Sequence, residues 1–159
     1  MKKSRVVLGV ASGCGCLLIV VMAVAGYWFY RFIKPPSGVA IAVEAPLRAR
    51  VGETFEILVT LTNESRSERT LVDVDVADSY LAGIAVEGTD PAYSDSEHIP
   101  FDNTVSYSFD RALEPGGTLS VRFVAVAVQE GDFAGDFDLC IDSMASCVSQ
   151  AVRTVVSAP

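Results

Sequence analysis

Thr54-Phe55-Glu56-Ile57-Leu58-Val59-Thr60-Leu61-Thr62-Asn63 decides the fold. Phe55, Ile57, Val59 and Leu61 fall on one face, and Glu56, Thr60 and Thr62 fall on the other. Successive side chains of a strand point to opposite faces, so this period of two marks a strand with one face buried. The next patterned stretch, Leu71-Val72-Asp73-Val74-Asp75-Val76, repeats it. Val72, Val74 and Val76 read as inward, Asp73 and Asp75 as outward.

Working outward, residues 39–44, 81–87, 104–109, 119–129, 132–141 and 146–156 carry strand-like composition. Turn residues separate them: Val51-Gly52, Asn63-Glu64-Ser65, Glu114-Pro115-Gly116-Gly117 and Glu130-Gly131-Asp132. The 119–129 stretch is apolar on both faces toward its end (Phe123, Val124, Val126, Val128), as suits a central strand. Residues 89–103 have the least pattern and read as a long surface connection. No helical period occurs after residue 36. About seven to nine short strands without intervening helices predict an all-β, immunoglobulin-like antiparallel sandwich.

The stretches VGETFEILVTLTNES, LVDVDVADSYLAGIAV and ALEPGGTLSVRFVAVAV resemble the immunoglobulin-like repeats of bacterial surface proteins, among them the conserved-repeat and CARDB-like families. The resemblance spans residues 43–128. Its motifs are turn and strand residues, so it implies a fold and an extracytoplasmic binding or spacer role, with no catalytic residue. Such repeats usually occur in tandem; here there is a single copy.

Before this domain, residues 6–30 contain no charged side chain. As a helix such a run measures ~37 Å, against a hydrocarbon core of ~30 Å. Lys2, Lys3 and Arg5 precede it. Tyr27, Trp28, Phe29 and Tyr30 close it, with Arg31 and Lys34 beyond. Tyr27, Trp28, Tyr30, Arg31 and Lys34 suit a membrane interface, where amphipathic rings and long cationic stems reach headgroups and water. Pro35-Pro36 stops the helix. The charge balance favours an N-terminus in the cytosol. The expected organisation is a basic tail (1–5), a transmembrane signal anchor (6–33), a Pro-rich linker (34–38) and an extracytoplasmic domain (39–159).

Rival readings of the anchor fit less well. Ala23-Val24-Ala25 before Gly26 resembles a leader cleavage site, but the apolar run is long and continues past it. Ala11-Ser12-Gly13-Cys14 resembles a lipobox, with too short a core before Cys14. Gly9 and Gly13 form a G-x-x-x-G pair, which lets helices approach closely and fits weak homodimerisation in the bilayer. Glycine is also simply common in membrane helices. Cys14 and Cys16 read as small apolar residues or acylation sites.

From Ser37 onward the chain has seven arginines, no lysine and all twenty acidic residues, a formal charge of −13. Phosphate backbones need a basic surface, so nucleic acid is excluded as a partner. The expected contacts are the lipid bilayer through 6–33 and an unidentified protein or envelope partner.

Cys140 and Cys147 are the cysteines outside the anchor. A hairpin turning at Ser143-Met144 sets them opposite each other, so a structural disulfide in an oxidising compartment is expected. Asp73, Asp75, Asp136 and Asp138 are weak calcium candidates, because hard cations take several oxygens. Alternating carboxylates also make an ordinary solvated strand face, and no Asp-x-Asp-x-Asp-Gly loop occurs, so no metal or other cofactor is assigned. His98, the single histidine, falls in the unpatterned segment, and no nucleophile or phosphate-loop motif is present. Asn63-Glu64-Ser65 is an N-glycosylation pattern whose use depends on the host.

The function expected is a membrane-tethered, non-catalytic interaction module of the cell envelope. The alternatives are an accessory subunit recognised through its transmembrane helix, and a calcium-dependent adhesion domain.

Overall fold

The computed structural model describes residues 18–30 and 36–159. They belong to two compact units, divided between Lys34 and Pro35. In the first, residues 18–30 form a helix, α1, with every side chain exposed, Tyr27, Trp28 and Tyr30 included. Among the described residues no helix is long and apolar enough to cross a membrane. The association pair Gly9 and Gly13 lies outside the described residues, as do the interface residues Arg31 and Lys34 and most of the 6–33 anchor.

The second unit is built from ten strands and one short helix. The strands are β1 (Val39–Glu44), β2 (Arg48–Arg50), β3 (Thr54–Asn63), β4 (Arg69–Ala77), β5 (Ile84–Asp90), β6 (Asp95–Ile99), β7 (Thr104–Leu113), β8 (Thr118–Ala127), β9 (Gly131–Ile141) and β10 (Cys147–Ser157). Helix α2 (Asp78–Leu81) follows β4. The strands make two sheets, a four-stranded one ordered β1-β3-β8-β5 and a six-stranded one ordered β2-β10-β9-β4-β7-β6. Pairing is antiparallel except at the edge, where β2 runs parallel to β10.

The core is what the alternation dictates. Ile57, Val59 and Leu61 of β3 and Val121, Phe123, Ala125 and Ala127 of β8 face Leu71, Val74 and Val76 of β4 and Phe137, Leu139 and Ile141 of β9. Phe123 stands edge-on to Tyr107, Phe109 and Phe137, and Phe137 in turn to Tyr80. Edge-to-face pairs add to the burial of large rings. Tyr80 is carried into the interior by α2, where its hydroxyl meets Thr154 Oγ1 at 2.9 Å.

Four sequence expectations change. The 89–103 segment is no plain connection, because 95–99 forms edge strand β6. All its side chains except Ile99 are exposed, so no alternation could announce it. Strands β2 and β6 raise the count to ten. In β4 the inward set is Leu71, Val74 and Val76; the pairing register shifts between Leu71 and Asp73, and this bulge moves Val72 out of phase. In β8 the core-facing residues are 121, 123, 125 and 127, while Val124 and Val126 are half-buried on the other face and Val128 is exposed.

Asn63 is fully buried at the end of β3 and stitches one corner of the sandwich. Its Nδ2 donates to the carbonyls of Ser67, Leu113 and Glu114 at 2.8, 2.9 and 3.2 Å. Its Oδ1 accepts from the backbone N–H and hydroxyl of Ser65. Its backbone bonds both ways with the β7–β8 turn, at Gly116 and Gly117. Gly116 reaches the left-handed φ of 74° that this turn requires. An Nδ2 so enclosed cannot carry a glycan in the folded domain, so the Asn-x-Ser pattern is structural here.

Candidate functional site: an acidic cavity on the outer face of the larger sheet

Asp73 and Asp75 point away from the sandwich core, as the alternation requires. Register then sets two polar rows across four strands. One runs Ser108, Asp73, Cys140, Cys147 from β7 through β4 and β9 to β10. The next runs Ser106, Asp75, Asp138, Ser149. Cys140 and Cys147 are joined by a disulfide across the β9–β10 pair. The pairing matches the sequence expectation, but Cys140 is fully buried, not on a solvent face.

Asp73 is buried too, at 2% exposure, and its cover comes from elsewhere in the chain. Phe101, Asp102 and Thr104 from the β6–β7 turn and start of β7, together with Met144 from the β9–β10 hairpin, enclose a cavity of about 160 Å³. Asp73, Asp75 and Ser106 form its floor and Ile99 completes the wall. None of the residues lining it is basic.

The hydrogen bonding of this lining is incomplete. Asp73 Oδ1 accepts from the Ser108 hydroxyl at 2.7 Å. Asp73 Oδ2, Asp75 Oδ1 and Thr104 Oγ1 are buried without a partner. Burial raises the pKa of Asp75, the Ser106 hydroxyl opposes that rise, and the charges of Asp73, Asp138 and Asp102 add to it. Native interiors leave few such atoms, because an unsatisfied buried oxygen loses its hydration without replacement.

The four calcium candidates do not converge. Asp73 and Asp75 line the cavity; Asp138 lies beside Asp75 and is taken up by the Ser149 hydroxyl; Asp136 is exposed farther along β9. Among the described residues, the one group of three potential ligands within 4.8 Å of one another is Asp75, Cys140 and Cys147. Its sulfurs are bonded to each other, so they offer no thiolate. His98 sits on β6 in an exposed pair with Asp78, Nε2 to carboxylate 2.8 Å.

The sequence signalled Asp73 and Asp75 but not the cavity. Thr104, Phe101, Asp102 and Met144 carry no motif, and only the β6–β7 pairing and the disulfide hairpin bring them over β4.

No family model matches this sequence, and no curated protein does. Solved structures do resemble it. Over 77% of this chain it superposes on the macrocyclization catalyst AvmM of alchivemycin A biosynthesis, with a TM-score of 0.51, 9% identity and 90% of that chain covered. It is also similar to part of the E. coli alpha-2-macroglobulin, with a TM-score of 0.50, 12% identity and the same 77% coverage, spanning only 7% of that chain. A CARDB domain from Pyrococcus furiosus in complex with di-metal ions is a further neighbour, with a TM-score of 0.47, 13% identity, and 75% and 87% of the two chains covered. At these identities the likeness is one of fold. The fold is an all-β, immunoglobulin-like sandwich.

Proposed function

We propose that the chain is a membrane-tethered, extracytoplasmic interaction module without catalytic activity. The observation that carries this reading is the Cys140–Cys147 disulfide in the β9–β10 hairpin. Such bonds persist in oxidising compartments and are rare in the cytosol. The uncharged run of residues 6–30, flanked by Lys2, Lys3, Arg5, Arg31 and Lys34, supports an anchor with its N-terminus in the cytosol and the sandwich on the other side. A rigid sandwich presenting loops and hairpins is a common scaffold for recognition. The charge of −13 beyond residue 36 favours a basic partner over an acidic one and keeps the domain off an anionic membrane surface.

Protease added to intact cells or spheroplasts tests the topology. The reading expects digestion of the 36–159 domain with the 1–30 segment retained in the membrane. Full protection of the domain would overturn it, and a mature N-terminus at Gly26 would replace the anchor by a cleaved leader.

A further inference from the structure

The two sulfurs of the Cys140–Cys147 bond are not equally open. Strand β9 lies between β4 and β10, so one cross-strand row runs Asp73, Cys140, Cys147. Thiol–disulfide exchange begins with a thiolate attacking one sulfur, in line with the bond and from the side away from the other sulfur. At Cys140 that side belongs to β4, where Asp73 is buried and Asp75 Oδ2 stands 3.6 Å from Cys140 Sγ. Cys140 itself is fully buried. A thiolate entering there would meet packed protein and two carboxylates. At Cys147 that side lies beyond β10. The next strand, β2, pairs with β10 only at Val155, Val156 and Ser157, so the Cys147 end of β10 is a free sheet edge among the described residues. Cys147 is partly exposed, and Met144 in the hairpin beside it is exposed.

Both sulfurs also touch acceptors that only a thiol can use. A disulfide sulfur carries no proton. The contacts of Cys140 Sγ with Asp75 Oδ2 and of Cys147 Sγ with the Met144 carbonyl, at 3.4 Å, are therefore not hydrogen bonds in the oxidised chain. A Cys140 thiol would donate to Asp75, a carboxylate whose other oxygen is buried without a partner. The reduced form of the buried sulfur thus has an acceptor already in place.

We infer that Cys147 is a covalent exchange site for an incoming thiol. The thiolate bonds to Cys147 Sγ as the Cys140–Cys147 bond breaks, and the electron pair of that bond leaves with Cys140 Sγ. That sulfur takes up the proton the incoming thiol gave up, and the resulting thiol donates to Asp75. The incoming sulfur is oxidised to the disulfide level, Cys140 is reduced, and no further oxidant or reductant enters. Ionised Asp75 slows the step, because it faces the departing thiolate, with Asp73 and Asp138 as its neighbours. The same charges select the partner, since a cationic thiol approaches an acidic face more readily than an anionic one. This goes beyond the reading of an interaction module by giving it a covalent contact.

The test uses the full-length chain in lipid nanodiscs with Cys14→Ala and Cys16→Ala, which leaves one disulfide. The probe is cysteamine under native conditions, followed by acid quenching, maleimide labelling of the freed thiol in denaturant, and peptide mass mapping. The inference expects cysteamine on Cys147 and maleimide on Cys140, with the reverse adduct at least about tenfold rarer. Compared per thiolate at low salt, 3-mercaptopropionate should react about tenfold more slowly, a gap that closes in ~1 M salt. Asp75→Asn should quicken the reaction at least about threefold, because the departing thiolate loses a like charge beside it. A basic peptide with one cysteine distinguishes the sources of the thiol. Its capture admits a protein thiol, capture of cysteamine alone restricts the partner to a small one, and either result supports the site. The probe on Cys140, or a bond that exchanges only after denaturant has unfolded the domain, would overturn the inference. So would a rate unchanged by Asp75→Asn. The experiment is blind to topology, so its failure leaves the tethering reading intact, and a wrong topology leaves its result unchanged.

Discussion

Two buried polar clusters in the same sandwich are treated in opposite ways. At the β3–β4 corner, both side-chain atoms of Asn63 that can bond are bonded, and its backbone is paired with Gly116 and Gly117. On the outer face of the larger sheet, Asp73 and Asp75 of β4 and Thr104 of β7 each keep one oxygen without a partner. The Asn63 corner is closed by the chain, whereas the cavity opens to solvent beside Phe101 and Met144, which are largely exposed. The first is complete within the chain and serves the fold. The second is incomplete within the chain. An unsatisfied buried acceptor costs stability, so this face, where Asp73, Asp75 and Thr104 are spread along β4 and β7, carries a cost that the Asn63 corner avoids.

The comparison breaks most visibly at its satisfied end. Asn63→Ala should destabilise the domain by about 3 kcal/mol, because three carbonyls lose their donor in an enclosed corner. Chemical denaturation of the full-length protein measures this. A loss below about 1 kcal/mol would mean that water replaces the amide and the corner is not closed.

The disulfide comes next in size. It closes a short hairpin beneath the cavity, with Cys140 opposite Cys147 in the β9–β10 register. Cys140→Ser should cost about 2–3 kcal/mol in the chain-entropy view while leaving the fold in place. Chemical denaturation of the full-length variant measures the loss, and circular dichroism checks that the fold is kept.

The third effect is smaller and opposite in sign. Burial and neighbouring carboxylates raise the pKa of Asp75 above its ordinary 3.8. Between 3.8 and the raised value, the folded chain holds a proton that the unfolded chain has released. This contribution is therefore fully present below 3.8 and lost as pH rises through the folded value. Above the folded value the ionised Asp75 destabilises the domain. Asp75→Asn should then raise the melting temperature at neutral pH, with the gain vanishing in acid. A destabilised Asn variant at neutral pH would show that Asp75 is satisfied and that the contrast with Asn63 is false.

Much of the scaffold was legible because its signals are local. Phe55, Ile57, Val59 and Leu61 alternate without a break, and β3 is a regular strand with Ile57, Val59 and Leu61 inside. Cys140 and Cys147 flank a tight hairpin, so their pairing follows from register alone. The misses are equally physical. Strand β6 is an edge strand with four of its five side chains exposed, and β2 is three residues long, so neither has an apolar face to read. The bulge in β4 put Leu71 inward in place of Val72, left Val74 and Val76 as expected, and could not be seen in an unbroken Leu-Val-Asp-Val-Asp-Val run. The cavity was invisible for a different reason. Asp73 and Asp75 look like a solvated face until the β6–β7 turn and the β9–β10 hairpin, distant in sequence, bring Phe101 and Met144 to the same cavity.

The contrast between the two clusters turns on Asp75, and a carboxyl 13C titration of that residue tests it most directly. The full-length chain is titrated from acid to neutral pH. The midpoint should lie above the ordinary aspartate value of 3.8, because a buried carboxylate among like charges resists ionisation. An ordinary or lowered midpoint would contradict the account, showing a carboxylate already satisfied.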